Sequence, residues 1–386
     1  MSGAERIRTF GTSIFTEMSR LAAEHGAVNL GQGFPDFPGP DFLKEAAARH
    51  IREDRNQYAP SHGVPRLRKA IADRWARTYG RTVDPETEIT VASGCTELLC
   101  DAMLAFVNPG DEVVIFEPFY DSYVPDVLLA GGVPRFVSLR PPDWSFDPSD
   151  LACAFGPRTR LVLVNTLHNP TGKVWTREEL DVVARLCKDH DVLAVTDEVY
   201  SEIVFDGARH VPLAALEGMW DRTLTLDSTG KTFSMTGWKV GYAVGAPPLT
   251  RALRAVHQFV TFASATPLQE AMADAMEHAA RTGYYDELRA AYGQRRGALR
   301  GALEGAGLPC LPVRGSYFLL ADISREGFAD DVGFCRDLTT RVGVAAIPPS
   351  AFYSDPSRAP LLARFCFAKR DETIAAARER LASRRS

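Results

Sequence analysis

The 386-residue sequence contains no uninterrupted apolar stretch close to the roughly 18 residues that a membrane-spanning helix needs. Its first 20 residues also lack the unbroken apolar core of a secretory signal peptide. Positive charge is not in excess either, because 49 Asp and Glu outnumber 44 Lys and Arg and give a net charge of −5. We therefore expect a protein that binds neither membranes nor nucleic acid.

Cysteine is sparse and shows no pattern. The seven cysteines, at positions 95, 100, 153, 187, 310, 335 and 366, form no CxxC pair and have no metal-ligand spacing. Most of them lie within apolar runs, where buried thiols are usually found. This usage favours a reducing compartment, the cytoplasm, and indicates no metal site.

Internal repeats and low-complexity linkers are absent too, and what remains is an alternation of strand and helix patterns. Seven short apolar runs are rich in strand-forming residues: EITVAS, DEVVIFEP, PRFVSL, TRLVLVNT, DVLAVTDE, RTLTLDS and KVGYAVG. Amphipathic helical patterns accompany them, such as VPRLRKAIADRWARTYG with Gly80 as its stop and TREELDVVARLCKDH with a capping box. The alternation predicts an α/β fold with a mostly parallel sheet covered by helices on both faces.

The pattern changes after about residue 285. A long helical stretch, YYDELRAAYGQRRGALRGALEGAG, precedes the strand patterns YFLLADI and ARFCFA and a terminal helix. This arrangement predicts a second, smaller α+β unit.

Polar residues follow several of the apolar runs, at the carboxyl edge where open parallel sheets bind ligands. After EITVA come Ser93, Gly94, Cys95 and Thr96 and then a helical pattern. This arrangement suits a phosphate, because free backbone N–H groups and the helix dipole both favour an anion. The same residues also fit a plain strand-to-helix turn with a threonine cap.

TRLVLVNT leads into His168, Asn169 and then Pro-Thr-Gly, which is first a turn signal. We interpret His168 as a structural hydrogen-bonding residue, whereas Asn169 would place an amide at the sheet edge. Asp197 ends the next apolar run, and Tyr200 follows three residues later. A buried aspartate needs a cation or donors, and the alternative for Asp197 is a helix N-cap.

RTLTLDS leads into Ser228, Gly230 and Lys231, so a lysine also reaches the edge in a loop of small residues. A desolvated lysine is a competent amine nucleophile that can form an imine with a carbonyl, although a surface-turn lysine is the alternative. Together the edge offers an amine, an acid, an amide, a phenol and a phosphate-type helix start. Pyridoxal phosphate requires such a set.

The chain resembles the fold-type-I pyridoxal-phosphate aminotransferases of class I/II, and within them the kynurenine, glutamine and methionine aminotransferase branch. Nine stretches carry the resemblance, in order along the chain: NLGQGFPDFPGP, NQYAPSHG, EPFYDSY, HNPTG, TDEVY, STGKTFSMTGWKVGY, RGSYFLLADI, GVAAIPPSAFY and ARFCFAK. The resemblance implies a large cofactor-binding domain over residues 46–285 and a small domain built from residues 1–45 and 286–386. It also implies a homodimer with shared active sites.

Carried over to this sequence, the resemblance makes Lys231, Asp197 and Tyr200 the catalytic residues. Lys231 would form the Schiff base with the cofactor and move the proton at the substrate Cα. Asp197 would keep the pyridine nitrogen protonated, and Asn169 and Tyr200 would hydrogen-bond the phenolic oxygen. Tyr120 would stack on the ring, and Asn169 and Tyr120 would also border the substrate.

The cofactor phosphate would be held by the start of the helix after EITVA and by two residues on either side of Lys231 in the sequence. Gly94, Cys95 and Thr96 would supply backbone N–H groups, and Thr96 its hydroxyl as well. Ser228 and Lys239 would complete this cradle. On this interpretation Lys231 acts as an amine, whereas Lys239 stays a cation opposite the phosphate.

The remaining roles concern the substrate and the second subunit. Arg364 would grip the substrate α-carboxylate as a two-pronged fork, and Gly33 would offer a backbone contact beside it. Tyr58 would reach the phosphate in the partner subunit. Phe34 and the partner subunit's Phe262 would edge an apolar pocket for the side chain.

The sequence departs from the branch pattern at Leu167, Cys95 and Gly230, where Pro, Ala and Ala are usual, and no departure removes a required chemical group. No second arginine for a dicarboxylate is evident, so we expect substrates with long uncharged or aromatic side chains. Acidic residues in GFPDF and EPFYDSY leave a cationic or non-proteinogenic side chain open.

We expect a ping-pong aminotransferase that acts on an L-amino acid and a 2-oxo acid. Two alternatives stay open. A pyridoxal-phosphate β-lyase or cyclase would use the same lysine as base, and its products, ammonia or a thiol, would distinguish it. A non-catalytic cofactor-binding regulator is the second alternative, although no helix-turn-helix segment accompanies the site residues.

Overall fold

The computed structural model describes residues 3–8 and 10–385. The α-helices are α1 Ile14–Glu24, α2 Asp41–Arg52, α3 Pro65–Tyr79, α4 Cys95–Phe106, α5 Tyr123–Leu129, α6 Pro148–Ala154, α7 Arg177–Asp189, α8 Thr229–Thr232, α9 Pro247–Val260, α10 Thr266–Arg281, α11 Tyr284–Gly305, α12 Asp331–Asp337 and α13 Asp371–Ala382. The strands are β1 Val28–Asn29, β2 Ile89–Ala92, β3 Glu112–Glu117, β4 Val133–Ser138, β5 Thr159–Asn165, β6 Leu193–Asp197, β7 Thr223–Ser228, β8 Gly241–Val244, β9 Phe318–Asp322, β10 Val344–Ala345 and β11 Leu362–Cys366.

The seven apolar runs form one seven-stranded sheet in the order β2-β8-β7-β6-β5-β3-β4. All neighbours are parallel except the pairs that β8 makes with β2 and β7, which are antiparallel. The register aligns Asn165 at the end of β5 with Asp197 at the end of β6. Because the parallel strands end together, the residues that follow them meet at one edge.

Helices cover both faces of this sheet, as the near-continuous apolar strands require. Val114 and Phe116 of β3 pack with α6 and α7 in one buried cluster. Their neighbours Val113 and Ile115 point to the opposite face and pack with α4, α5 and α9 in another cluster. A third cluster, around Trp75, joins α2, α3 and α10.

The local signals in the sequence produce the expected helix ends. Helix α3 begins with Pro65 at its first position, and Gly80 ends it in the left-handed conformation at φ 68°. Helix α7 begins with a complete capping box between Thr176 and Glu179. The long helix over 284–305 and the terminal helix are also present.

The remaining elements form the smaller α+β unit. Strands β9 and β11 pair antiparallel, β1 pairs parallel with β10, and α11 packs against α13. The chain before residue 45 and the chain after residue 285 share one core, in which Met18 lies with Leu303, Phe365 and Leu381. Helix α2 spans the expected boundary at residue 45 and packs on α10, so the exact division into domains stays a prediction. None of the helices in residues 3–8 and 10–385 has the length and apolarity to cross a membrane.

Candidate active site

A cavity of about 340 Å³ lies at the carboxyl edge of the parallel strands. Strands β2, β3, β5, β6 and β7 all end beside it. It is lined by Phe15, Gln32, Gly33, Phe34, Gly94, Cys95, Thr96, Leu99, Tyr120, Asp121, Asn165, Asn169, Asp197, Val199, Tyr200, Ser228, Lys231, Thr236, Lys239, Phe318 and Arg364. The structure thus brings together thirteen of the fifteen site residues expected from the sequence; the exceptions are Tyr58 and Phe262.

Lys231 lies on α8, a single helical turn directly after β7, and not in the loop that the sequence indicated. Ser228 caps this turn by accepting a hydrogen bond from the Gly230 N–H at 3.1 Å. The Lys231 ammonium contacts the carbonyl oxygen of Gly33 at 3.4 Å and faces the cavity. Burial lowers the pKa of Lys231 to about 8, because the charged form loses hydration. The surface-turn alternative for this lysine is therefore wrong.

Asp197 ends β6 at the floor of the cavity and is buried. Its carboxylate accepts hydrogen bonds from the Tyr123 hydroxyl at 2.7 Å, the Cys95 thiol at 3.6 Å and the Val199 N–H at 3.4 Å. Burial raises the pKa of Asp197 above its ordinary value. No helix begins at this position in the described chain, so the helix N-cap alternative is wrong. The site favours a cationic partner, which would offset the cost of burial.

Asn169 is held by a hydrogen-bond network that begins at Asn165, the last residue of β5. The Asn165 side chain accepts a hydrogen bond from the Asn169 N–H at 2.6 Å and donates one to the carbonyl of Asp197 at 2.9 Å. The turn that follows uses Gly172 at φ 70°, as the sequence indicated. His168 bonds Thr171 at 2.8 Å and is buried, which lowers its pKa to about 3. It is a structural residue, as expected.

Arg364 projects from β11 into the opposite wall and is 1% exposed. Its guanidinium donates to the Asn169 side-chain oxygen and to the Gly31 carbonyl, both at 2.9 Å. Its Nε has no hydrogen-bond partner, and no carboxylate of the described residues lies within 4.0 Å. The guanidinium faces the Phe318 ring at 4.2 Å instead. Burial lowers the pKa of Arg364, so a ligand carboxylate would supply the missing counter-charge.

The start of α4 forms an open cradle at the other end of the cavity. Gly94 is the N-cap at φ 85°, and no side chain caps the helix, so the threonine-cap alternative is wrong. A Cβ on Gly241 of β8 would stand 2.6 Å from the Gly94 carbonyl carbon and 2.7 Å from the Cys95 nitrogen. Lys239 extends its ammonium to 3.3 Å from the Thr96 hydroxyl. Free N–H groups, a hydroxyl and a cation make this an anion site.

Tyr58 and Phe262 lie outside the cavity of their own chain. Their side chains are 83% and 47% exposed and pack edge to face, with ring centroids 5.2 Å apart. Phe259, three residues before Phe262 in the sequence, is 86% exposed. Their expected roles belong to the cavity of a partner subunit, so these roles stay predictions.

Sequence reasoning missed several lining residues, namely Phe15, Gln32, Leu99, Asp121, Asn165, Val199, Thr236 and Phe318. It also missed Tyr123, which holds Asp197. Asn165 could have been found, since it ends an apolar strand just as Asp197 does. Phe15 and Phe318 carried no such signal, because aromatic residues in helices and strands are usually core residues.

The chemistry of this donor set fits pyridoxal phosphate. A lysine with a lowered pKa, a buried carboxylate that favours a cation, and an open helix start with a nearby lysine lie around one cavity. The imine, the ring nitrogen and the phosphate of the cofactor require these three groups.

Residues 26–381 match the family model described as aminotransferase class I and II. The chain is 44% identical over 376 residues to methionine aminotransferase from Escherichia coli (strain K12), and the match covers 97% of each protein. It is 40% identical over 409 residues to kynurenine–oxoglutarate transaminase 1 from Homo sapiens, with 98% of this chain and 97% of the relative covered.

Solved structures agree with the sequence matches. An Escherichia coli crystal structure for which a methionine aminotransferase function was identified superposes with a TM-score of 0.95 at 43% identity, covering 99% of this chain and all of that one. N-succinyldiaminopimelate aminotransferase from Mycobacterium tuberculosis also gives a TM-score of 0.95, at 42% identity and with 99% and 100% of the two chains covered.

Proposed function

Because the chain belongs to the class I and class II aminotransferases, we propose that its cavity accepts an L-amino acid with a long side chain that is uncharged or aromatic. The chain is a pyridoxal-phosphate-dependent enzyme that transfers an amino group between an amino acid and a 2-oxo acid. The expected family, fold class, cofactor and reaction are thus confirmed. The match to catalytic relatives argues against the non-catalytic regulator.

One observation carries the assignment of roles to individual residues. Lys231, Asp197 and Arg364 line one cavity. Lys231 would react with the cofactor carbonyl, Asp197 would pair with the cofactor ring nitrogen, and Arg364 would pair with the substrate carboxylate. Lys231 is an amine with a lowered pKa, Asp197 favours a cation, and Arg364 lacks a carboxylate. The bound cofactor supplies an electron-withdrawing ring that stabilises negative charge at the substrate Cα.

The residues of the chain then divide the work. Lys231 would hold the cofactor covalently, and after the substrate amine has replaced it there, its free Nζ would take the proton from the substrate Cα. Asp197, oriented by Tyr123 and Asn165, keeps the ring nitrogen protonated through its charge. Tyr200 and Asn169 donate hydrogen bonds toward the phenolic oxygen.

The cofactor ring and phosphate are held by a second set of residues. Tyr120 covers the ring face. The N–H groups of Cys95 and Thr96, with Ser228 and Lys239, would bind the phosphate, and the lack of a side chain on Gly241 lets the Gly94–Cys95 peptide lie against β8. Arg364 binds the substrate α-carboxylate bidentately, beside the Gly33 backbone.

The proposed side-chain preference rests on the wall of the cavity. Phe15, Phe34 and Phe318 line it, and Arg364 is the single arginine among the described lining residues. Asp36 lies outside the cavity and accepts hydrogen bonds from the Arg370 N–H and the Thr373 hydroxyl at 2.6 Å. Asp121 lines the cavity, so a cationic side chain is the alternative.

We also propose a homodimer in which each subunit completes the cavity of the other. The exposed, packed pair of Tyr58 and Phe262 and the exposed Phe259 support this proposal, because contiguous exposed apolar side chains mark interaction sites. Tyr58 of the partner subunit would reach the phosphate, and the partner subunit's Phe262 would border the substrate. The seven free cysteines, of which three are buried, three partly buried and one exposed, favour the cytoplasm as its location.

A single-turnover screen tests this function. The loaded enzyme is mixed with one amino acid at a time, without an acceptor, and the 2-oxo acid is quantified. We expect one equivalent per site with long uncharged or aromatic amino acids and little with aspartate. Release of ammonia or a thiol would instead support the β-lyase or cyclase alternative. A preference for lysine-like or other cationic substrates would assign the specificity to Asp121.

A further inference from the structure

Residues Gly31, Gln32, Gly33 and Phe34 form one edge of the cavity, and we call them the entrance segment. The carbonyl oxygen of each accepts a hydrogen bond from a side chain. Arg364 donates to Gly31 at 2.9 Å, and Lys231 and Tyr317 donate to Gly33 at 3.4 and 2.6 Å. Lys369 donates to Gln32 at 3.2 Å and to Phe34 at 2.9 Å.

Three of the four donors are cations, and two of these cations are required elsewhere. Lys231 must turn to the cofactor, and Arg364 must receive the substrate carboxylate, if the proposed function is right. Each of them then gives up or shares its carbonyl partner in the entrance segment. Lys369 has no such second task, because it does not line the cavity.

Lys369 is also an unusual lysine in its own right. Its side chain is 2% exposed, and no carboxylate of the described residues lies within 4.0 Å of it. A buried ammonium without a counter-ion is costly. Its hydrogen-bond partners are the two carbonyls of the entrance segment, and the Phe34 ring lies 5.4 Å from its nitrogen.

The backbone of the entrance segment is closely packed, so its residues cannot move independently of one another. A Cβ at Gly33 would stand 3.0 Å from the Phe318 ring, and one at Gly31 would stand 3.1 Å from Ile347. The Asn29 side chain also accepts hydrogen bonds from the N–H groups of Gly31 and Gln32, at 3.0 and 3.2 Å. A small displacement of this segment would therefore shift Gly31 and, through it, the Arg364 guanidinium.

We propose that Lys369 is a positioning residue for the substrate α-carboxylate. It holds the entrance segment in place while Lys231 and Arg364 turn from the carbonyls of that segment to the cofactor and the substrate. This inference rests on the proposed function, since the roles of Lys231 and Arg364 do. Lys369 touches neither the substrate nor the cofactor and acts through Gln32 and Phe34.

The test compares holoenzyme carrying Lys369→Met with Lys369→Arg and with the matched control Lys188→Met. Lys188 also donates to a backbone carbonyl, that of Glu217 at 3.5 Å, but it lies on α7 and does not line the cavity. Methionine keeps the length and removes the donors, whereas arginine keeps the charge and can donate to two carbonyls.

We expect Lys369→Met to raise KM for amino acids about tenfold or more with little change in kcat, because hydrogen bonds from charged donors contribute on that scale. Lys369→Arg should restore most of the affinity, and Lys188→Met should match the wild type. Amines that lack an α-carboxylate should react equally slowly with all four proteins, since they do not use Arg364.

Hydrogen–deuterium exchange of peptides covering residues 28–37 gives a readout that is independent of turnover. Exchange should be faster in Lys369→Met holoenzyme than in wild type, Lys369→Arg and Lys188→Met. Unchanged KM and exchange in Lys369→Met, or an equal loss with carboxylate-free amines, would overturn the proposal while wild-type transamination stands. A wild type that transaminates no amino acid would instead overturn the proposed function, and the exchange result would still decide whether Lys369 holds the segment.

Discussion

Two fully buried arginines, Arg74 and Arg364, show how the same side chain is used in opposite ways. Arg74 on α3 donates to Glu202 at 2.9 Å and lies 3.4 Å from an oxygen of Asp227. Ser201 and Tyr242 complete its shell at 2.9 and 3.3 Å. Burial alone would lower the pKa of Arg74, but the tyrosines and carboxylates around it outweigh burial and raise it.

Arg364 has the same burial and no such shell. Its two partners are an amide oxygen and a backbone carbonyl, both neutral, and its Nε has none. The pKa of Arg364 is accordingly lowered by burial. In one region the protein neutralises the charge of its arginine, and in the other it leaves the arginine without a counter-ion among the described residues. This difference supports the proposal that Arg74 stabilises the fold and that Arg364 binds a ligand.

Lys231→Ala should have the largest effect of the substitutions in the cavity, because it removes the amine that would bind the cofactor. We expect turnover to be abolished and the covalent link to the cofactor to disappear, with the fold intact and some non-covalent cofactor binding retained. Activity assays, mass spectrometry of the reduced holoenzyme and circular dichroism measure these three properties. Lys69→Ala is the control, because Lys69 pairs on the surface with Asp73. Near-normal turnover in Lys231→Ala would end the assignment.

Asp197→Asn should reduce the single-turnover rate by several orders of magnitude, since each lost 1.4 kcal/mol or so of transition-state stabilisation is about tenfold. The substitution keeps the size and removes the charge. A cofactor analogue with a permanently charged ring nitrogen should restore part of the rate. Asp227→Asn, in the Arg74 region, is the matched control and should lower the melting temperature more than the rate. A drop below tenfold in Asp197→Asn contradicts the proposed role.

Arg364→Ala and Arg74→Ala test the comparison directly. Arg364→Ala should lower kcat/KM by a factor that corresponds to about 2–5 kcal/mol of lost binding free energy, mostly through a higher KM. The absorption spectrum of the bound cofactor should stay normal. Its melting temperature should change little, because no buried carboxylate is left behind. Arg74→Ala leaves the buried Asp227 without its cation and Glu202 with Arg289 alone, and it should cost about 3–5 kcal/mol of folding stability. If Arg364→Ala mainly lowers folding stability and Arg74→Ala mainly raises KM, the proposed roles of the two arginines are wrong.

Tyr58→Phe should weaken cofactor affinity about tenfold, the scale of one hydrogen bond to a charged group. Mixed dimers with a Lys231→Ala subunit show which chain supplies the hydroxyl. The defect should appear when Tyr58→Phe and the intact Lys231 lie on different subunits. Full activity in a strictly monomeric protein rules this role out.

Asp101 should affect stability and not turnover. It is buried beside Glu97 and His257, and its two carboxylate oxygens have no hydrogen-bond partner among the described residues. Burial raises the pKa of Asp101 to about 7 from 3.8, so the folded cofactor-free protein binds this proton more tightly than the unfolded chain. Stability should therefore fall as pH rises from about 4 to about 7. Asp101→Asn should flatten that part of a melting-temperature profile without altering the rate. A melting-temperature profile of Asp101→Asn that is identical to that of the wild type would contradict this prediction.

The sheet and most of the cavity could be predicted because their signals are local. Each of the seven apolar runs carries its own strand pattern, and Asp197 and Lys231 follow strand ends directly. Asn169 and Arg364 form a hydrogen bond although 195 positions of sequence separate them. Only the resemblance to a family placed these two residues in one site. Lys369 was not predicted at all, since its partners are backbone carbonyls, which leave no trace in residue type.

Gly241 sets a limit on how the enzyme can be redesigned. It pairs with Ala92 in the sheet, and any side chain there would collide with the peptide that opens α4. The backbone cannot retreat without breaking the β2–β8 ladder. Attempts to evolve acceptance of a bulkier or uncharged cofactor must therefore alter Thr96, Ser228 or Lys239, whose side chains can shrink or turn away. Gly241 itself has no space for a side chain.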